Sequence, residues 1–371
     1  MIKKILLIGI IVLFLGTCII PSVAIDNVKK PKTPMNSGNT LYVGGLGSFN
    51  YTKIQDALDN ASSGDTVFVY DDSSPYYEYN LTIEKSINLI GEDKDTTEIN
   101  AIGKGDVILV YADKANISGF MIVNGNNTGK SGICLLSDYN IITENNIINC
   151  VFGVFLQYSS HNYISKNNIY NNSLGIATWY SNCDYNTFYD NYLFNNQNGI
   201  FLTESTHCQI IDNIIKCETT TYLTRGIGLQ EFSTNNEIIG NDISNYELGI
   251  FMCSSINTLI QGNNISSNRR FGLYLQHGSV NNNITRNNFI NNGYEKSYKI
   301  RGNAFFIDSE FIPYSNIWNE NYWDNWLGVK HKLFRIFPYR VPGRWGIIQG
   351  IGILFPTSDF DLHPTKEPYD I

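Results

Sequence analysis

Apolar and polar residues alternate along this chain in short runs, and the runs recur. From Gly132 to Asn292 each unit opens with Gly-Ile-x-Leu or a close variant and later carries Asn-x-Ile-x-x-Asn-x-Ile. Within a run the apolar residues stand two apart, so Ile133 and Leu135 project from one side of an extended segment. Ile142 and Ile147 do the same in their own runs, and no run shows a helical period. The second Asn of the phrase falls at Asn145, Asn167, Asn191, Asn213, Asn241, Asn263 and Asn287, at intervals of 22, 24, 22, 28, 22 and 24 residues. A period in this range marks stacked repeats. Three short strands and three corners in about 22 residues make one turn of a parallel β-helix. The pattern therefore predicts an all-β chain, a right-handed parallel β-helix in which like residues stack on like. The Asn column is expected to hold a corner, because Asn accepts left-handed backbone and bonds neighbouring backbone or the Asn above and below. Leucine-rich repeats have similar length, but they are Leu-dominated with one Asn per unit. Two Asn columns and Ile-rich strands argue against them here.

Followed outward, the register extends beyond the regular array. Residues 40–115 read as an N-terminal cap with looser first turns, such as Ser86-Ile87-Asn88-Leu89-Ile90 and Val107-Ile108-Leu109-Val110. Repeats fill 116–326, with Phe120 standing where the Asn column later begins. Asn316-Ile317-Trp318-Asn319-Glu320-Asn321-Tyr322-Trp323 is the same phrase with Trp for Ile, so Asn321 continues the column, and Ala304-Phe305-Phe306-Ile307 supplies its opening strand. Ile54, Ala57, Leu58 and Ala61 share one helical face, which predicts a short amphipathic helix closing the open end of the stack. Thr52 or Asn50 is placed to cap it. The tail 327–371 has no repeat and carries five prolines, Pro338 to Pro368; an irregular cap over the last turn is expected, bridged by Trp318 and Trp323.

The first 24 residues pair Lys3 and Lys4 with the apolar run Ile5 to Ile20 and the small residues of Ser22-Val23-Ala24. This is the pattern of a secretory signal; an uncleaved anchor is the alternative. Residues 25–39 are a polar, Lys- and Pro-containing linker. Export makes disulfides possible for Cys134, Cys150, Cys183, Cys208, Cys217 and Cys253. Only Cys183 and Cys208 lie in adjacent repeats, so buried free thiols are the expectation. The chain is 16% charged with a net charge of −8, which speaks against nucleic acid as a partner. Asn-x-Ser/Thr at Asn50, Asn60, Asn80, Asn116, Asn126, Asn171, Asn264 and Asn283 offers glycosylation sites in an exported glycoprotein.

The repeats, the opening Tyr51-Thr52-Lys53-Ile54-Gln55-Asp56-Ala57-Leu58, Gly64-Asp65-Thr66-Val67-Phe68-Val69, Ile117-Ser118-Gly119-Phe120 and the closing Asn321-Tyr322-Trp323-Asp324 resemble secreted β-helix proteins of the NosD type, especially archaeal surface members. The resemblance covers roughly residues 40 to 326. It implies a fold related to pectate lyases and to carbohydrate-binding and sugar-hydrolase repeats, and a periplasmic accessory role in copper-site maturation. The residues themselves do not support metal binding. His161 and His207 share a column with Tyr185 between them, and no Cys-x-x-Cys or His-x-His occurs.

Chemistry is expected on the outward face of the Gly-Ile strands. Phe155, Phe201, Phe251 and Tyr274 stand between the inward residues, followed by Gln157, Trp179, Gln230 and Gln276. Aromatic faces stack on sugar rings and amides pair with hydroxyls, which suits a polysaccharide or another cell-envelope component as partner. Glu204 and Glu231 sit at equal offsets on neighbouring turns, about 5 Å apart by the strand spacing. That spacing suits a retaining glycosidase pair, with Arg225 the nearest base for a lyase. It suits a Ca2+ site equally if Asp138 or Asp184 reaches it. Two readings follow: a non-enzymatic exported β-helix that binds or scaffolds carbohydrate or partner proteins, and a polysaccharide-cleaving enzyme.

Overall fold

The structure, a computed structural model, describes residues 38–125, 129–219, 223–308, 316–325, 339–345, 355–361 and 363–371. The N-terminal segment 1–24 expected to be a signal, most of the linker and the sequon at Asn126 lie outside them. The chain winds as a right-handed parallel β-helix of about ten turns. The turn beginning at Phe152 shows the plan: a long strand Phe152–Gln157, a middle strand Tyr163–Ser165 and a third strand Asn168–Tyr170. Each pairs in parallel with its counterpart one turn on, as in Val154↔Ile176, Ile164↔Phe188 and Ile169↔Leu193. The third strands stack into one ten-stranded sheet from Glu98–Asn100 to Tyr322–Trp323. The expected last turn is present: Leu273 pairs with Ala304, Ile284 with Trp318 and Phe289 with Trp323.

Period-two patterning builds the core directly. Ile133, Leu135, Ile142 and Ile147 are fully buried and belong to one continuous cluster running from Val43 to Val341. The glycine that opens each unit has a steric cause. A Cβ on Gly153 would lie 2.4 Å from the Gly175 carbonyl oxygen and 2.7 Å from Ile169 Cγ2. No side chain fits there, so the chain bends where the third strand hands over to the next long one.

Amide ladders hold the corners. Asn145 Nδ2 donates to Asn167 Oδ1 at 3.1 Å, and the relay continues through Asn191, Asn213, Asn241, Asn263 and Asn287 to Asn321. Each receiving oxygen also accepts the backbone N–H of the Asn one turn earlier, as Asn167 Oδ1 does from Asn145 N at 3.0 Å. Shorter ladders run along the other two corners, for example Asn162 to Asn186 and Asn172 to Asn196. The left-handed residue at each corner differs from expectation. It is the one before the ladder Asn: Glu144, Lys166, Asp190 and Asp212 have φ of 57°, 56°, 53° and 53°. The ladder Asn must keep extended backbone to point its amide inward, so the αL position falls to its neighbour.

The two ends close differently. Helix Ile54–Asn60 buries Ile54, Ala57 and Leu58. Neither Thr52 nor Asn50 caps it; the Glu78 carboxylate does, accepting Ile54 N at 2.7 Å and Gln55 N at 3.1 Å. At the other end the tail is more regular than its prolines suggest. Strands Tyr339–Trp345 and Phe355–Asp361 pair antiparallel, and each joins the last turn of a sheet. They cover unpaired backbone edges, and edge strands tolerate proline. Trp318 Nε1 donates to Asp359 at 3.1 Å and Trp323 Nε1 to Asp361 at 3.0 Å, which ties the last turn to this hairpin.

Candidate functional site

The outward face of the long-strand sheet is more covered than alternation alone suggests. Phe155, Phe201, Phe251 and Tyr274 are only 6%, 9%, 5% and 6% exposed. The residue before the unit glycine faces outward as well, so the strands at Phe152 and Phe271 each offer two outward rings close together. Phe152 and Phe155 stack at 4.2 Å between centroids and 10° between planes. Two outer apolar patches result, one of Cys134, Phe152, Phe155 and Ala177, the other of Leu248, Phe251, Phe271, Tyr274 and Phe305. These rings therefore stabilise the sheet rather than standing free. The signal that would have shown this is the apolar residue just before Gly153, Gly175, Gly249 and Gly272.

Between the patches the turn at Gly226 is different. Gly228 leaves a dent that the Phe201 ring occupies; a Cβ there would lie 2.6 Å from Phe201 Cδ2. Arg225 lies across the gap, its guanidinium carbon 4.6 Å from the Phe251 centroid and 5.9 Å from that of Phe201. Burial pulls this guanidinium below its ordinary value, and Glu247 partly opposes the shift.

Exposure returns at the far edge of the sheet. Trp179 is 46% exposed and meets Phe152 edge-on at 6.5 Å. Tyr158 and Tyr180, one residue beyond Gln157 and Trp179, are exposed and stack at 5.1 Å. At the next corner Tyr139, His161, Tyr185 and His207 form a continuous stack with centroid spacings of 4.8, 5.0 and 4.8 Å. Gln157 and Gln276 are half-buried and bonded to their neighbours, to Cys134 Sγ and to the Tyr274 hydroxyl, while Gln230 is half-buried beside Glu231. At the near edge runs an open groove of about 590 Å³, lined by Asn149, Asn171, Ser173, Asn195 and Gln197 among others.

The register Thr203↔Gln230 does bring Glu204 and Glu231 onto neighbouring turns. Both side chains are exposed on left-handed corner residues, and no hydrogen bond or ion pair joins either to Arg225. A glycosidase acid needs an enclosed, apolar setting to hold its proton, and this corner is open. The carboxylates proposed to complete a Ca2+ site serve the corners instead. Asp138 accepts Ser160 N at 2.7 Å and Asp184 accepts Thr206 N at 2.6 Å.

The six cysteines of the repeats are free thiols. Cys150, Cys208 and Cys217 take corner positions that Asn holds in other turns. Burial pushes the Cys134 and Cys150 thiols up to about 12. Cys183 and Cys208 are not bonded to each other; Cys208 Sγ donates to the Cys183 carbonyl at 3.3 Å.

Fold and turn plan together define a right-handed parallel β-helix protein. The family described as periplasmic copper-binding protein (NosD) matches residues 117–198 and 178–328, more than half of the chain, and the chain belongs to that family. No curated protein matches it. Among solved structures, the Dettilon tailspike protein gp208 superposes with a TM-score of 0.58 at 15% identity over 76% of this chain, which spans 61% of the tailspike. The A-module of mannuronan C-5 epimerase AlgE6 from Azotobacter vinelandii gives 0.58 at 14% identity, covering 72% of this chain and 81% of the module. The enzymatically active domain of tailspike protein 2 from bacteriophage CBA120 gives 0.55 at 13% identity, covering 76% and 47%. At these identities the likeness is one of fold.

The family description raises copper, and the side chains do not fit it. Copper sites need several His, Cys or Met donors converging. His161 and His207 are separated by the ring of Tyr185, and Met252 is buried in the core. Among the described residues no three His, Cys, Asp or Glu side chains come together. Nor is any described helix long and apolar enough to cross a membrane.

Proposed function

We propose that this chain is an exported β-helix that binds polysaccharide along the outer face of its long-strand sheet. One observation carries the reading: the exposed rings of Trp179, Tyr180 and Tyr158 cluster on adjacent turns at one edge of that face. Exposed aromatic rings are what pyranose units pack against. A turn rises about 4.8 Å, close to the length of one such unit, so a glycan lying along the axis meets one turn per sugar. The amides lining the groove at the opposite edge suit hydroxyls. Export is supported by the N-terminal segment and by the family's periplasmic description. Cleavage by Glu204 and Glu231 draws no support from their open setting.

Glycan-array screening followed by calorimetry tests this. Trp179→Ala with Tyr180→Ala should weaken binding of the best glycan at least tenfold while leaving the thermal midpoint nearly unchanged, because both side chains are exposed. Unaltered affinity in that double variant would refute the proposal.

A further inference from the structure

We propose that the same face carries an anion-binding site built on Arg225 and Arg270, and that the glycan it takes is a polyanion bearing carboxylate or sulfate groups. This rests on the polysaccharide reading above and adds the charge of the ligand.

The site stands out against the chain's net charge of −8. Arg225, Arg269 and Arg270 gather where the turns at Gly226, Gly249 and Gly272 begin, and Glu247 is the carboxylate among them. Arg270 Nη1 pairs with Glu247 Oε1 at 3.5 Å, at the long end of hydrogen-bond range. Glu247 is already engaged otherwise: Oε2 accepts Leu223 N at 2.6 Å. Arg269 is buried and reaches Thr224 Oγ1 at 3.2 Å. The neighbouring loop adds Lys296, Lys299 and Arg301 against Glu295. Arg225 and Arg270 thus share one carboxylate, Glu247, and this pair keeps a net positive charge.

Rings pack against both central guanidiniums, and Arg270 also pairs with Glu247. Arg225 faces Phe251, and Arg270 lies 5.4 Å from Phe271, 5.9 Å from Tyr274 and 5.3 Å from Tyr298. Stacking on aromatic faces fixes the planar fork and strips water from one side, while the N–H edge remains for an anion. Arg225 Nε and Arg270 Nε are buried donors with no acceptor. They are closed to solvent, so an oxyanion would meet the outer Nη groups, those of the part-exposed Arg270 first. The strands that start at Arg225 and Phe271 are two turns apart, roughly 10 Å, which at one sugar per turn matches charges on every second sugar. The amide-lined groove leads to this point, since the Gln197 carbonyl accepts Arg225 N at 3.1 Å.

Calorimetry on the full chain with polygalacturonate, dextran sulfate and neutral dextran tests this. The expected result is binding of at least one polyanion in 50 mM NaCl, at least tenfold tighter than dextran, and lost in 500 mM NaCl. Which polyanion binds tells carboxylate from sulfate. Arg270→Gln should weaken that binding about tenfold, and Arg225→Gln should add to the loss. If Arg225→Gln fails to fold, the half-exposed Arg270 carries the test. Dextran binding as tightly as the polyanions, or Arg270→Gln binding like the parent chain, overturns the anion site and leaves the polysaccharide reading standing. Failure of all three polymers and of the glycan array overturns both.

Discussion

Replacing Asn213 by Ala in the middle of the main ladder should be among the most damaging single changes in the protein. Asn213 is fully buried and its side chain makes five hydrogen bonds. Oδ1 accepts Asn191 N and Asn191 Nδ2, both at 3.0 Å. Nδ2 donates to Phe188 O at 2.9 Å, Ile211 O at 3.0 Å and Asn241 Oδ1 at 3.0 Å. After truncation Asn191 Nδ2 keeps Ile164 O, and Asn241 Oδ1 keeps Asn213 N. The Asn191 N–H, however, loses the acceptor it has in the ladder. At about 1 kcal/mol net for each of four bonds, with about 1–3 kcal/mol for the stranded buried donor, the loss comes to about 5–7 kcal/mol. That is a large share of the ~5–15 kcal/mol typical of a folded domain. Guanidinium unfolding followed by tryptophan fluorescence measures it. Because turns couple only to their neighbours, the transition should also broaden. Asn257→Ala is the control, a corner Asn that is exposed and left-handed with φ of 57°, expected to cost about 1 kcal/mol. If Asn213→Ala costs no more than Asn257→Ala, the ladder does not hold the corners and the reasoning fails.

Two further outcomes are expected. Gly153→Ala places a methyl against the Gly175 carbonyl and should destabilise by about 3 kcal/mol or more, whereas Gly262→Ala, in open space at φ of +63°, should cost about 1 kcal/mol; equal midpoints for the two would contradict the steric account of the unit glycine. Thiol labelling at pH 8 should reach Cys253 first and spare the buried cysteines until denaturant is added, since burial keeps Cys134 and Cys150 protonated up to about 12. Those raised values also contribute stability that is complete below the ordinary thiol value of 9.0 and is lost as pH rises toward 12. Prompt native labelling of Cys208 would contradict this.

The solenoid was legible because its information is redundant: every turn repeats the same spacing, so Phe120 and Trp323 could be placed by register alone. What escaped depends on relations the period does not carry. Phe155 is covered by Phe152, a residue outside the Gly-Ile-x-Leu phrase, and only stacking across the bend shows it. The left-handed corner was assigned to the wrong residue because Asn fills both positions at Asn171-Asn172, Asn195-Asn196 and Asn291-Asn292. The Glu78 cap acts on a helix 24 residues upstream, beyond any local capping rule. The hairpin of the tail hid behind Pro342 and Pro356. For the candidate site, the exposed edge at Trp179 followed from alternation, but Arg225 was weighed as a partner for glutamates when its neighbours are aromatic rings.

The main ladder has a direction. From Asn to Asn the relay runs one way: each Nδ2 donates to the Oδ1 of the next Asn toward the C-terminus. Here Asp361 accepts Asn321 N and Nδ2 at 3.0 Å each, and Trp323 Nε1 at 3.0 Å. An ionised carboxylate accepts and cannot donate, so the relay stops. In the language of polymer chemistry, Asp361 is the terminator of the amide relay.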